Sequence, residues 1–185
     1  MTTPRPDQQQ LEALVHRGEV VRNLDLNGGR YAGAKLSGGI FEQVDFRGAD
    51  LSRAQMRESI FTECRFDEAT LIGADLQQAA LTQCGLSGAR LDGARLHSLQ
   101  AIETNAAQAS FREADLQLAA MSRDNLRGAS FHRAKLDRAT FVGCDLAAID
   151  LSESNLVATT LLDADLREAR LVGSHLERVV LVGAK

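Results

Sequence analysis

The chain reads as an all-β solenoid, a coil with one flat side for every five residues. Three observations carry this. Large apolar residues recur every five positions from Leu26 to Leu181, and 30 of these 32 positions are Leu, Phe, Tyr or Met, including all seven Phe and the single Tyr. A small-residue register lies two positions earlier, with Ala34, Ala49, Ala54, Ala69 and Ala74 among its members and Cys64, Cys84 and Cys144 filling other places. The residue between the two is often polar, as in Ala49-Asp50-Leu51 and Ala164-Asp165-Leu166. A helix turns about 100° per residue, so a five-residue period would spiral over every face. A straight strand alternates sides, so residues five apart would point opposite ways. Two inward positions flanking one outward residue, followed by a two-residue corner, keep every large residue inside.

The elements follow in order. Residues 1–23 are read as an N-terminal tail and capping helix, and residues 24–185 as the repeat. Residues 7–17 predict a short helix, with Asp7 as N-cap, Gly18 as the residue after the C-cap, and Leu11, Leu14 and Val15 on one face. A solenoid's first coil exposes apolar side chains and strand edges, which this helix is expected to cover. The register is interrupted only at Ala101 and Ala106. A random insertion would rarely preserve the five-residue phase. The coil is therefore expected to continue with a local dent or bulge, Leu99 and Ile102 filling the space. A loop over residues 99–110 is the alternative. The last repeats carry Val179, Val180, Leu181 and Val182 without a following cap, so the end is expected to find a partner.

Composition excludes several functions. Twenty-one basic against 25 acidic residues give a net charge of −4, which leaves no basic footprint for nucleic acid or an anionic membrane. No apolar run approaches the roughly 20 residues that span a bilayer. The start, MTTPRPDQQQ, lacks the pattern of a secretory signal, so a cytoplasmic location is expected. Three Cys without a CxxC pair suggest neither a disulfide framework nor a zinc site. His16, His97, His132 and His175 are scattered, those of the repeat at or beside corners. No nucleophile, metal or nucleotide motif is present, so no cofactor and no enzymatic activity are expected. Asp124 is the odd residue. It stands where a small inward residue belongs, with Thr104 as its expected hydrogen-bond partner.

This pattern resembles the pentapeptide-repeat family, whose consensus is A-(D/N)-L-x-x, over roughly residues 24–184. The resemblance implies a right-handed quadrilateral β-helix with four pentapeptides per coil. Thirty-two repeats then make about eight coils, a rod roughly 35–40 Å long. It also implies function through binding. Family members include accessory and secretion-associated proteins, and others that protect or inhibit DNA gyrase by resembling B-DNA. Several dimerise end to end through their C-terminal coils.

With four repeats per coil, residues 20 apart stack in columns. On the side of Phe41 and Phe61, the outward columns include Ile40, Ile60, Val142, Leu162, Val180 and Val182, an apolar stripe with few charges. It is the candidate interface for a protein partner or, with the C-terminal coil, for a homodimer. The next side carries Asp25, Asp45, Asp145 and Asp165 in one column, with Asp67, Glu68, Asp124 and Glu168, against Arg47, Arg65, Arg127 and Arg167. It is the candidate acidic face for a DNA mimic that engages DNA gyrase.

Overall fold

The five-residue register becomes a coil in which each residue pairs with the one 20 positions later. The structure, a computed structural model, describes residues 5–185; residues 1–4, the start of the expected tail, lie outside the described residues. The strands are β1 (Val20–Arg22), β2 (Ile40–Glu42), β3 (Ile60–Thr62), β4 (Ala80–Thr82), β5 (Gln100–Ile102), β6 (Ala120–Ser122), β7 (Thr140–Val142) and β8 (Thr160–Leu162). They form one parallel sheet in chain order. Phe41 lies opposite Phe61, and Phe61 opposite Leu81. Single parallel bridges with the same spacing hold the other three sides, for example Asp45 with Arg65, Asp50 with Thr70 and Gln55 with Asp75. Four pentapeptides therefore make each coil of a right-handed quadrilateral β-helix. A bridge from Thr160 to Val180 continues the ladder beyond β8.

The corners explain the two residues after each large one. On three sides the corner closes with an amide-to-carbonyl bond three residues back, as from Ala49 to Phe46 at 3.0 Å. The second corner residue lies in the left-handed region, with φ of 60° at Gly48, 57° at Arg53 and 57° at Glu58. A turn of this kind needs positive φ at that place, which Gly adopts freely. Arg, Glu and Gln take it at a cost of about 1 kcal/mol each. Gly29 serves a different need. A Cβ there would lie 2.3 Å from the Tyr31 ring, so the ring fills the place of the missing side chain.

Inside, the large register stacks on itself. Phe41 and Phe61 stack with centroids 4.9 Å apart, and Phe46 and Phe66 at 4.8 Å. The helix α1 (Gln8–His16) forms as read, with a reciprocal capping box between Asp7 and Gln10. Leu11 is fully buried, and Leu14 and Val15 pack on the core. Its polar contacts complete the cap. The Glu12 carboxylate accepts the Lys35 amide at 3.0 Å, a first-coil donor, and the Tyr31 hydroxyl donates to the Pro6 carbonyl at 2.9 Å.

The coil runs unbroken through residues 99–110. Gln100–Ile102 is β5, and Asn105 and Ser110 are bridged to the coils on both sides. Neither loop nor bulge forms. The thinning is internal, a cavity of about 20 Å³ walled in part by Leu81, Leu86, Leu99, Ala101, Ala106 and Met121. Leu99 is buried as expected, but Ile102 is 39% exposed and points outward, so it does not fill the gap. Ile102 is the residue after the inward one on its strand, and the pleat turns it away from the core.

Candidate interaction surfaces

The expected apolar stripe falls on the outward face of the β1–β8 sheet, the side that carries the continuous strand ladder. Ile40 and Ile60 are 37% and 45% exposed, and Val180 and Val182 are 43% and 59% exposed. Val142 and Leu162 are half-buried by their neighbours. Gln100 interrupts the middle of the stripe, and Ile102 extends it. Ion pairs along its margin join Arg22 to Glu42 at 3.5 Å and Arg123 to Glu103 at 3.1 Å. Val172, Leu176 and Leu181 of the last repeats are exposed as well. Column counting missed Leu118, which is exposed at a left-handed corner on another side. Its signal was visible, because a large apolar residue there breaks the corner pattern.

On the expected acidic side, Asp45, Asp145 and Asp165 pair with the arginines of the same side. Asp45 is buried and accepts from Arg47 and from Arg65, each at 2.7 Å. The Arg47 hydrogen bond holds its carboxyl below the usual range despite burial. Arg167 does the same for Asp165, holding it at about 2. Asp145 lies 3.7 Å from Arg127. Asp25 and Glu68 are exposed, Asp67 is half-buried, and Glu168 is exposed.

These aspartates have a structural task. Asp25, Asp45, Asp145 and Asp165 each accept the amide two residues on, through Oδ1 at 3.0–3.1 Å. The same bond recurs at Asp50, Asp75, Asp115 and Asp150, and at Asn105, Asn125 and Asn155. Asx turns of this kind give the D/N of the consensus its reason. Gly85 lacks that side chain, and Asp67 of the preceding coil replaces it, accepting the Ser87 amide at 3.0 Å. Asp124 does not contribute to this surface at all. It is 2% exposed and points inward, with Oδ1 accepting from the Thr104 amide at 2.6 Å and hydroxyl at 2.8 Å, as expected of that pair.

One polar chain escaped the sequence reading. His132 Nδ1 lies 3.0 Å from Ser152 Oγ, which donates to Asp150 Oδ1 at 2.5 Å. The signal was available, since 132 and 152 share a column and 150 and 152 flank one inward residue. A nucleophilic serine must give its proton to the imidazole. Here the single hydroxyl proton goes to the carboxylate, so His132 Nδ1–H is the donor. The arrangement orders a turn. The three thiols are buried and free, and burial pushes Cys144 up to about 11. A thiol held protonated in this way, as Cys144 is, is a poor nucleophile. Among the described residues no group of His, Cys, Asp or Glu is arranged to hold a metal ion, and no helix is long and apolar enough to cross a membrane.

Solved structures share this architecture. A trypsin-treated variant of QnrB1, described as a plasmid-mediated fluoroquinolone resistance protein, aligns with a TM-score of 0.60 at 21% identity, covering 86% of this chain and 90% of that one. Full-length QnrB1 aligns with a TM-score of 0.55 at 18% identity, over 87% and 92% of the two chains. HetL from the cyanobacterium Nostoc sp. strain PCC 7120, a pentapeptide repeat protein involved in heterocyst differentiation regulation, is 24% identical over 97% of this chain and 96% of its own, with a TM-score of 0.44. No curated protein matches. The family model for pentapeptide repeats matches in eight copies over residues 32–62, 59–97, 125–152 and 144–183. With most of its length matched, and with strands paired at a register of 20, the chain belongs to the pentapeptide-repeat family.

Proposed function

We propose that this chain is a non-catalytic, cytoplasmic protein-binding scaffold that docks a partner on the outward face of the β1–β8 sheet. One observation carries the reading: exposed Ile40, Ile60, Ile102, Val180 and Val182 share a single flat side of a rod whose coils are hydrogen-bonded throughout. A rigid face loses little conformational entropy on binding. The partner class is a protein that presents a flat apolar strip. A second copy is one such partner, meeting this chain through the same side or through the last coil, where Leu176 and Leu181 are exposed. The net charge of −4 favours neither nucleic acid nor an anionic membrane as a direct ligand. The test is a pull-down with purified protein against Ile60→Asp, and light scattering of Leu162→Asp and Val182→Asp. The reading expects a partner retained by the wild type and lost from Ile60→Asp. Equal retention by both rejects the sheet face. A monomeric wild type rejects self-association, and an unchanged dimer in both variants moves its interface elsewhere.

A second reading makes the acidic side a DNA mimic that binds DNA gyrase. The likeness in fold to QnrB1, described as a fluoroquinolone resistance protein, favours it. The arginine pairs on Asp45 and Asp165 weigh against it, because a mimic needs a continuous negative potential. A supercoiling assay with titrated protein decides. Neither inhibition nor protection from a quinolone removes this reading.

A further inference from the structure

Asp124 sits in an inward column whose members from Val44 to Ala164, namely Val44, Cys64, Cys84, Thr104, Cys144 and Ala164, are all buried. The thiols of this column share one habit. Cys64 donates to the Phe41 carbonyl, Cys84 to that of Phe61 and Cys144 to that of Met121, each 23 residues earlier at 3.5 Å. The same step from Asp124 leads to the carbonyl of Ala101. An ionised carboxylate has only acceptors and would face another acceptor there, whereas the neutral acid carries an O–H donor. Oδ1 is satisfied by Thr104, and Oδ2 has no hydrogen-bond partner among the described residues.

We propose that Asp124 is held as the neutral acid, its Oδ2–H directed to the Ala101 carbonyl, and that its ionisation loosens the central coils as pH rises. The surroundings fit. Glu103 in the coil below opposes a second negative charge, Arg123 is already paired with Glu103 at 3.1 Å, and Cys144 lies above. Burial pushes the Asp124 carboxyl up; hydrogen bonds from Thr104 and from the Ser122 backbone oppose it, and Glu103 adds the smallest upward push. Thr104 also forms part of the wall of the central cavity, so the least filled part of the rod adjoins this carboxyl.

The sign follows from linkage. The folded chain holds this proton more tightly than the unfolded chain. Its stabilising effect is complete below the ordinary carboxylate range and is lost as pH rises toward the folded value. Urea unfolding from about pH 4 to about pH 8 tests it, with wild type, Asp124→Asn and Asp124→Thr. Relative to the variants, the wild-type unfolding constant should rise by up to about tenfold per pH unit in that window. Parallel profiles overturn the proposal. If Asp124→Asn does not fold, Asp124→Thr, the residue one coil below, gives the same comparison. The carboxyl carbon of Asp124, followed by NMR, should keep the shift of a neutral acid above the ordinary carboxylate range; an ionised shift there overturns the proposal as well.

Discussion

The coils around Phe41 to Phe66 and the coils around Ala101 to Met121 follow one register but are filled in opposite ways. In the first, four rings interlock. Phe61 stacks on Phe41 at 4.9 Å and meets Phe66 edge-on at 5.2 Å. In the second, two alanines stand where large residues belong, and a cavity of about 20 Å³ remains. The backbone ladder passes through both without a break. Main-chain pairing therefore sets the coil, while side-chain volume sets how firmly each coil is held. A solenoid of this kind tolerates a thin layer because each coil contacts mainly its neighbours.

The largest effect should come from breaking the filled layer. Phe61→Ala removes a ring that is fully buried and in contact with three others. It should cost about 4 kcal/mol in urea unfolding, whereas Met121→Ala, at the cavity wall, should cost about 2 kcal/mol because its surroundings are already loosely packed. Equal costs would mean that the two layers do not differ in packing.

The opposite change should sharpen the contrast. Ala106→Leu restores the register between Leu86 and Leu126 and should raise stability by about 1 kcal/mol. Ala109→Leu, in the fully packed small register, should lower it by about 2 kcal/mol through overcrowding. A loss at both positions would show that the cavity cannot admit the side chain.

The fold was legible because its signal is one-dimensional. A five-residue register fixes which residues face inward, and the coil count follows once four repeats close a turn. Ala101 and Ala106 kept the phase, so continuation was readable, yet the fate of the missing volume was not. That depends on whether Ile102 can turn inward, and the pleat forbids it. The surfaces were legible in part. Columns 20 apart placed Ile40 beside Ile60 correctly. They set four arginines against the acids of the next side, but could not show that Asp45 and Asp165 also accept turn amides and pair directly with Arg47 and Arg167. The same columns placed Thr104 beside Asp124 correctly.

Gly85 offers the finest probe of that lesson. Its repeat lacks the usual Asp or Asn, and Asp67 reaches up one coil to accept the Ser87 amide at 3.0 Å. A Cβ at Gly85 would lie 2.8 Å from Asp67 Oδ2, so the two arrangements exclude each other. Asp67→Ala should therefore cost about 1 kcal/mol, the net worth of one hydrogen bond. Adding Gly85→Asn should recover most of it, because the new side chain can close the Asx turn within its own repeat. Gly85→Asn alone should be close to neutral or mildly destabilising, since it displaces the carboxylate it replaces. Double-mutant analysis by urea unfolding measures the coupling. Additive effects would mean that the aspartates of this side are surface charges after all, and would return Asp67 to the acidic face as a free carboxylate.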